Sequence, residues 1–204
     1  MSILNVILSP DKLLVAVDTL AEDAITGKPS AGAKVLLIPQ HNLVMATRGS
    51  AQFFLRLYEL SLQASFRADF TMEQLMAELG LVIEKLWPNY VAAADRAEIP
   101  REQFHTEVVL GGWSPKNGRM MATAYAKSAD EAPVTVQPLD GGLASPGDPL
   151  RSRPASFDMA AVLEAGRLQA EYLNQASGRM VAGGRLLAAL LQPGHVHLHD
   201  LGKV

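Results

Sequence analysis

Over the first fifty positions short apolar runs alternate with turn residues. That spacing predicts strands at about 2–8, 12–18, 33–38 and 42–47. "SPDK" (9–12) and "PQHN" (39–42) have the Pro, Asp and Asn that tight reversals need, so the strands form two hairpins joined by the polar loop "AEDAITGKPSAG" (21–32). From Ser50 the period lengthens: Phe53, Phe54, Leu57, Leu60 and Leu62 predict a helix over about 50–66 with one buried face. Asp69 or Thr71 then caps a second helix along Met72, Leu75, Met76, Leu79, Ile83 and Leu86, which Pro88 is expected to interrupt. Strands return at 104–114 and 119–128, around a turn at "PKNG", and again at 133–139. The Gly-, Pro- and Ser-rich stretch 140–156 reads as loop. Asp158 opens a third helix whose apolar side is Met159, Val162, Leu163, Leu168 and Leu173, and two final strands flank "QPG".

Strands, two helices, strands, one long helix and strands are not a βαβ alternation. The order predicts an α+β layered sandwich with helices outside two stacked sheets, in a single domain over 1–204. With 49% hydrophobic and 19% charged residues, the 204-residue chain can bury a sizeable core. A net charge of −3 offers no broad basic field for nucleic acid. The longest wholly apolar run, "LLAALL" (186–191), is far too short to span a bilayer, and no signal-peptide pattern opens the chain, so a cytoplasmic location is expected. With no cysteine, any nucleophile is oxygen or nitrogen.

Three polar residues stand at strand ends: Ser2, Asp18 and Lys34, each 16 positions from the next. If the first two strands pair around "SPDK" so that Ser2 faces Asp18, a carboxylate lies beside the N-terminus; a third strand alongside the second adds Lys34. A serine hydroxyl needs a base, and an α-amine with a pKa of about 8 is a suitable one. Ser2 carries that amine only once Met1 is removed. A neighbouring lysine would stabilise the alkoxide and the carboxylate would orient the lysine. The plainer alternative is a surface ion pair between turn-end charges, worth about 0–1 kcal/mol.

These residues and their surroundings resemble proteasome β subunits and their bacterial relatives, the N-terminal nucleophile hydrolases. "LLVAVDT" is similar to the family's second strand, "AKVLLI" to its lysine strand and "MATRGSAQ" to its strand-to-helix turn. "LGGWSPKNGRMMATAY" is similar to its glycine-aromatic hairpin, and "NQASGR" (174–179) to the segment after its long helix. The resemblance implies a four-layer αββα sandwich and no cofactor. It makes Ser2 the nucleophile, Lys34 its tuner, Asp18 the holder of Lys34, Gly49 the oxyanion donor, and Asn174 with Ser177 the groups that orient the amine. It further implies peptide or unfolded-protein substrates and a homo-oligomeric ring contacted through the helices at 50–66 and 71–87; the natural substrate, the number of subunits and any regulator that delivers substrate are not carried across by the resemblance. The chain departs from the family in having Ser for Thr at the nucleophile, Asn for Asp at 174 and Leu20 for Arg, and in lacking a propeptide, so that only methionine removal is needed. Retention of Met1 would make the chain a non-catalytic assembly subunit of the same fold.

Other motifs have simpler readings. In "HVHLHD" (195–200), His195, His197 and His199 share one side of a strand. Three imidazoles suit zinc, but a row spaced about 7 Å apart is wide for one tetrahedral ion, so a solvated face or a pH-sensitive subunit contact is the competing reading. "GRMVAGGRL" (178–186) lacks the strand-to-helix context of a phosphate loop and reads as a turn. Trp87, Tyr90, Trp113 and the Met residues at 72, 76, 120 and 121 read as packing or interface groups.

Overall fold

The computed structural model describes residues 2–23, 26–99, 104–128 and 131–204; Met1 and positions 24–25 of the first long loop lie outside them. Strands β1 (Leu4–Leu8) and β2 (Leu13–Asp18) form the first hairpin. β2 is apolar until its last residue and buried throughout, as befits a central strand covered on both faces. Next come the short β3 (Leu20–Glu22) and β4 (Pro29–Ala31), then the hairpin β5 (Val35–Ile38) and β6 (Leu43–Gly49). Helices α1 (Ala51–Ala64) and α2 (Met72–Arg96) follow, then β7 (Thr106–Ser114), β8 (Arg119–Lys127), β9 (Thr135–Pro138) and β10 (Gly142–Ser145). Helix α3 (Met159–Ser177) precedes the last hairpin, β11 (Arg185–Gln192) and β12 (His195–Lys203). One five-stranded antiparallel sheet has the order β10-β1-β2-β11-β12 and another β5-β6-β7-β8-β9, while β3 and β4 pair as a separate ribbon.

Three apolar clusters join these elements. Val6, Val15, Val17, Val44, Val109 and Leu191 interdigitate where the two large sheets face each other. Phe54, Leu57, Leu79, Ile83 and Trp87 of α1 and α2 pack on Met45, Val108 and Tyr125 of the β5–β9 sheet. Val162, Ala170 and Leu173 of α3 pack on Leu14, Ala16, Leu186 and Ala188 of the other sheet. The four-layer αββα sandwich is corrected on this evidence to a mostly β architecture. Among the described residues there are twelve strands in three antiparallel sheets and three α-helices, and one large sheet carries α3 alone on its outer side. The sequence understated the strands because β3, β4 and β10 are short and lie in segments of loop composition. Cross-strand hydrogen bonds hold them, β10 completing the edge of its sheet against β1 inside the stretch 140–156 that was expected to be loop.

The helix boundaries show where local rules yield. Ser50 and Thr71 cap α1 and α2 by accepting hydrogen bonds from Phe53 N–H and Gln74 N–H, and Asp158 caps α3 through Ala161 N–H. Pro88 does not end α2, which continues to Arg96. An interior proline costs about 3 kcal/mol, but Trp87, Val91 and Ala94 are buried on the same stripe, so ending the helix early would forfeit more apolar burial than the proline costs. The apolar faces of α1 and α2, expected to form ring contacts, are instead consumed by the core of the chain itself.

Candidate active site

Asp18, Lys34 and Ser2 meet at one end of the β1–β2 hairpin. The four-residue turn at "SPDK", closed by Ser9 N–H to Lys12 O at 2.8 Å, sets a register that pairs Leu4 with Val17. Continuing it puts Ile3, not Ser2, opposite Asp18, and Ile3 N–H donates to Asp18 Oδ1 at 2.9 Å. Lys34 arrives from a different direction than a third strand beside the second would bring it. It precedes β5 in the facing sheet, and its side chain crosses to donate to Asp18 Oδ1 at 2.8 Å and Ser2 Oγ at 2.9 Å. The third ammonium proton goes to Leu20 O.

All three side chains are out of water: Asp18 is 0% exposed and Ser2 and Lys34 6% each. This is a buried constellation, not the exposed ion pair of the plainer reading. Burial pushes the Lys34 ammonium below the usual lysine value, with the charge and hydrogen bond of Asp18 opposing the shift. The other Asp18 oxygen, Oδ2, accepts Gly183 N–H at 3.1 Å, so the carboxylate is held by two backbone amides as well as by Lys34. As arranged, Lys34 can stabilise negative charge on Ser2 Oγ and, when neutral, can accept its proton.

Of the remaining candidates, Asn174 is tied to this cluster through the turn before β11. Asn174, near the end of α3, accepts Val181 N–H at 2.7 Å and Ala182 N–H at 3.0 Å and donates to Ala182 O at 2.9 Å. It thereby braces the turn that delivers Gly183 to Asp18. Ser177 is the last residue of α3, directly before that turn. Gly49 ends β6 just ahead of the α1 cap with φ +114°, and a Cβ there would lie 2.3 Å from His105 O. Gly49→Ala is therefore expected to lower stability by about 2 kcal/mol or more, since positive φ alone strains a non-glycine residue by about 1–3 kcal/mol. In a thermal melt this is a drop of roughly 4–8 °C.

Two buried residues of this region had no part in the sequence reading. Asn5 donates to Gln169 Oε1 at 2.5 Å, and Gln169 Nε2 returns a bond to Asn5 Oδ1 at 2.8 Å and another to Pro146 O at 2.8 Å. The pair ties β1, just past Ser2, to α3 and to the chain after β10. The signal was present as two polar residues inside apolar stripes, Asn5 in "ILNVIL" and Gln169 among the core positions of α3. Of the other aromatic and histidine candidates, Trp87 is buried against Phe53 and Tyr90, and Trp113 packs at the edge of the inter-sheet core. His195, His197 and His199 stand on β12, at the open edge of its sheet and away from Asp18. The glycines at 183–184 form the turn before β11.

This architecture defines the chain by class as sharing the fold of Anbu, the ancestral β-subunit. It is similar to Anbu from Yersinia bercovieri with a TM-score of 0.68 and 14% identity, over 99% of this chain and 87% of that one. It is also similar to Anbu from Hyphomicrobium sp. strain MC1 with a TM-score of 0.66 and 12% identity, over 99% of this chain and 88% of that one. The expected proteasome β subunit is corrected accordingly to an Anbu-like fold. No protein-family model matches the sequence, and no curated protein does. At such low identities the likeness is one of fold, and function rests on the site.

Proposed function

We propose that this chain is an N-terminal serine hydrolase that cleaves peptide bonds through an acyl-enzyme and works in a self-assembled homo-oligomeric ring. The observation that carries the reading is the hydrogen bond of 2.9 Å from Lys34 Nζ to Ser2 Oγ, with Asp18 holding Lys34. Removal of Met1 gives Ser2 an α-amine, which takes the hydroxyl proton as Oγ attacks the scissile carbonyl. Lys34 stabilises the alkoxide, the Gly49 N–H receives the oxyanion, and the amine then protonates the leaving nitrogen. Water hydrolyses the resulting ester in a second, reversed passage. Asn174 and Ser177 act at one remove, through the turn that supports Asp18. Substrates are peptides or unfolded segments, a regulator delivers them, and the cytoplasm is the setting; no described helix is long and apolar enough to cross a membrane.

The 6% exposure of Ser2 favours a second reading, a non-catalytic assembly subunit in which the same polar cluster serves the fold. Intact mass decides whether the chain begins at Ser2. With Ser2 first, a peptide epoxyketone is expected to add one equivalent that maps to Ser2 and is absent from Ser2→Ala. Absence of labelling on a chain that begins at Ser2, or undiminished labelling of Ser2→Ala, overturns the hydrolase.

A further inference from the structure

β12 is an edge strand: β11 pairs along one side of it, and no described strand pairs along the other. Natural edges are usually blunted by charged residues; β12 has them only at its far end, Asp200, which pairs with Arg185, and Lys203, while "HVHLH" (195–199) carries no carboxylate, lysine or arginine. His195, His197 and His199 pair across to Gln192, Leu190 and Ala188 of β11, so all three imidazoles stand on one face of the sheet. Their rings form a ladder, with centroids 6.5 Å apart between His195 and His197 and 6.1 Å between His197 and His199. Among the described residues none of the three imidazoles makes a hydrogen bond or ion pair, so their ring nitrogens are available; the one side-chain bond to these residues goes to the His195 backbone oxygen, from Asn42 Nδ2. Leu198, on the other face, is 52% exposed.

The run is palindromic in chemical type about His197. If two copies pair antiparallel with His197 opposite His197, then His195 of each stands opposite His199 of the other. Val196 and Leu198 meet their counterparts on the opposite face. Such a contact is isologous and closes on itself as a two-fold dimer. No other register brings every imidazole opposite an imidazole and every apolar side chain opposite an apolar one.

A metal ion gives this pairing its chemistry. Two imidazoles on one zinc, with Zn–N of about 2.0–2.1 Å, place their ring centroids about 5–6 Å apart. Neighbouring rungs of the ladder come within that reach by a small side-chain rotation, but one strand cannot wrap a third ring around the same ion. Accordingly, no group of three ligands converges among the described residues. An opposing strand supplies what is missing, because directly opposite Cβ atoms lie about 4.5–5.5 Å apart. We infer that the His195–His197–His199 edge binds a zinc-like divalent ion between two copies of this chain, each copy contributing imidazoles to a tetrahedral site. Borderline-soft ions that favour imidazole nitrogen are the matching class, and calcium and magnesium are not.

Sedimentation and native mass spectrometry of the full chain at pH 7.5, with and without zinc chloride, test this directly. Zinc is expected to double the mass of whatever assembly the metal-free chain forms, with metal retained at one or more ions per two chains. EDTA reverses the change, and magnesium does not cause it. His197→Gln, a substitution at an exposed edge, is expected to raise the zinc midpoint at least tenfold while its thermal melt matches the parent's. Zinc bound without a change in mass, an unaltered midpoint in His197→Gln, or no zinc bound at all overturns the inference. None of these outcomes depends on Ser2, so the hydrolase and the metal edge stand or fall separately.

Discussion

Replacing Lys34 by Met is expected to slow labelling of Ser2 by about 10²–10³-fold, the range for a lost donor that stabilises developing charge. Met keeps the length and apolar stem of the side chain but removes the three protons that go to Ser2 Oγ, Asp18 Oδ1 and Leu20 O. The same change leaves Asp18, 0% exposed, without its counter-charge. Breaking a buried pair from one side costs about 3–5 kcal/mol, measurable by denaturant unfolding. The double variant Lys34→Met/Asp18→Asn should recover part of that stability, since it removes the buried charge but leaves one of the two backbone N–H groups facing an amide NH2, and none of the labelling, which separates the chemical role from the structural one.

The pH profile carries a second signature of Lys34. Burial lowers its proton affinity below that of an ordinary lysine, with Asp18 pulling the other way. In the parent, labelling should rise as the α-amine loses its proton, near the ordinary value of about 8, and fall again as Lys34 loses its own below the usual lysine range. Lys34→Met keeps only the first. For stability the sign follows from the unfolded chain, whose lysine holds its proton to higher pH than the folded one. Between the depressed folded value and the ordinary one the unfolded state binds more protons, so the parent gains stability with rising pH there. A Lys34→Met profile as steep as the parent's in that window would contradict this account.

Trp87→Ala should be the most damaging single change in the core away from the site, at about 3–5 kcal/mol for truncating a buried aromatic. Trp87 is 1% exposed and packs edge-on against Phe53 at a centroid distance of 5.3 Å and against Tyr90 at 5.2 Å. It also stands immediately before Pro88, where α2 has lost a backbone hydrogen bond and depends on packing to continue. The expected result is a melting temperature lower by roughly 6–20 °C. Amide exchange should also speed up in 89–96, beyond the proline, more than in 72–86. Uniform exchange along α2 would mean that the proline turn does not rely on Trp87.

Much of the element order was legible because local signals agreed with one another. Ser50 and Asp158 open α1 and α3 as caps, Thr71 rather than Asp69 caps α2, and of the stripe through Met72, Leu75, Met76, Leu79, Ile83 and Leu86 all but the half-buried Leu86 are buried. Periodicity reports what a segment buries, so it cannot report pairing by segments that bury little. The residues of β4 are exposed and those of β10 are mostly exposed or half-buried, and both strands exist through their partners. The same limit explains Pro88, where a local rule was outweighed by side chains packing from other elements.

At the site, residue order alone supplies the chemical groups and puts them at strand ends: a hydroxyl at position 2, a carboxylate closing β2 and an amine preceding β5. It also contains the palindrome of the last strand. That these groups meet is a consequence of the fold. Lys34 reaches Ser2 by crossing from the facing sheet, Asp18 is steadied by Gly183 from a turn 165 positions away, and Asn174 holds that turn. Spacing along a chain encodes which atoms are available. Their convergence depends on how two twisted sheets stack, which is settled by apolar burial over the whole molecule, so the hydrogen bonds of the site are a consequence of packing that no local pattern contains.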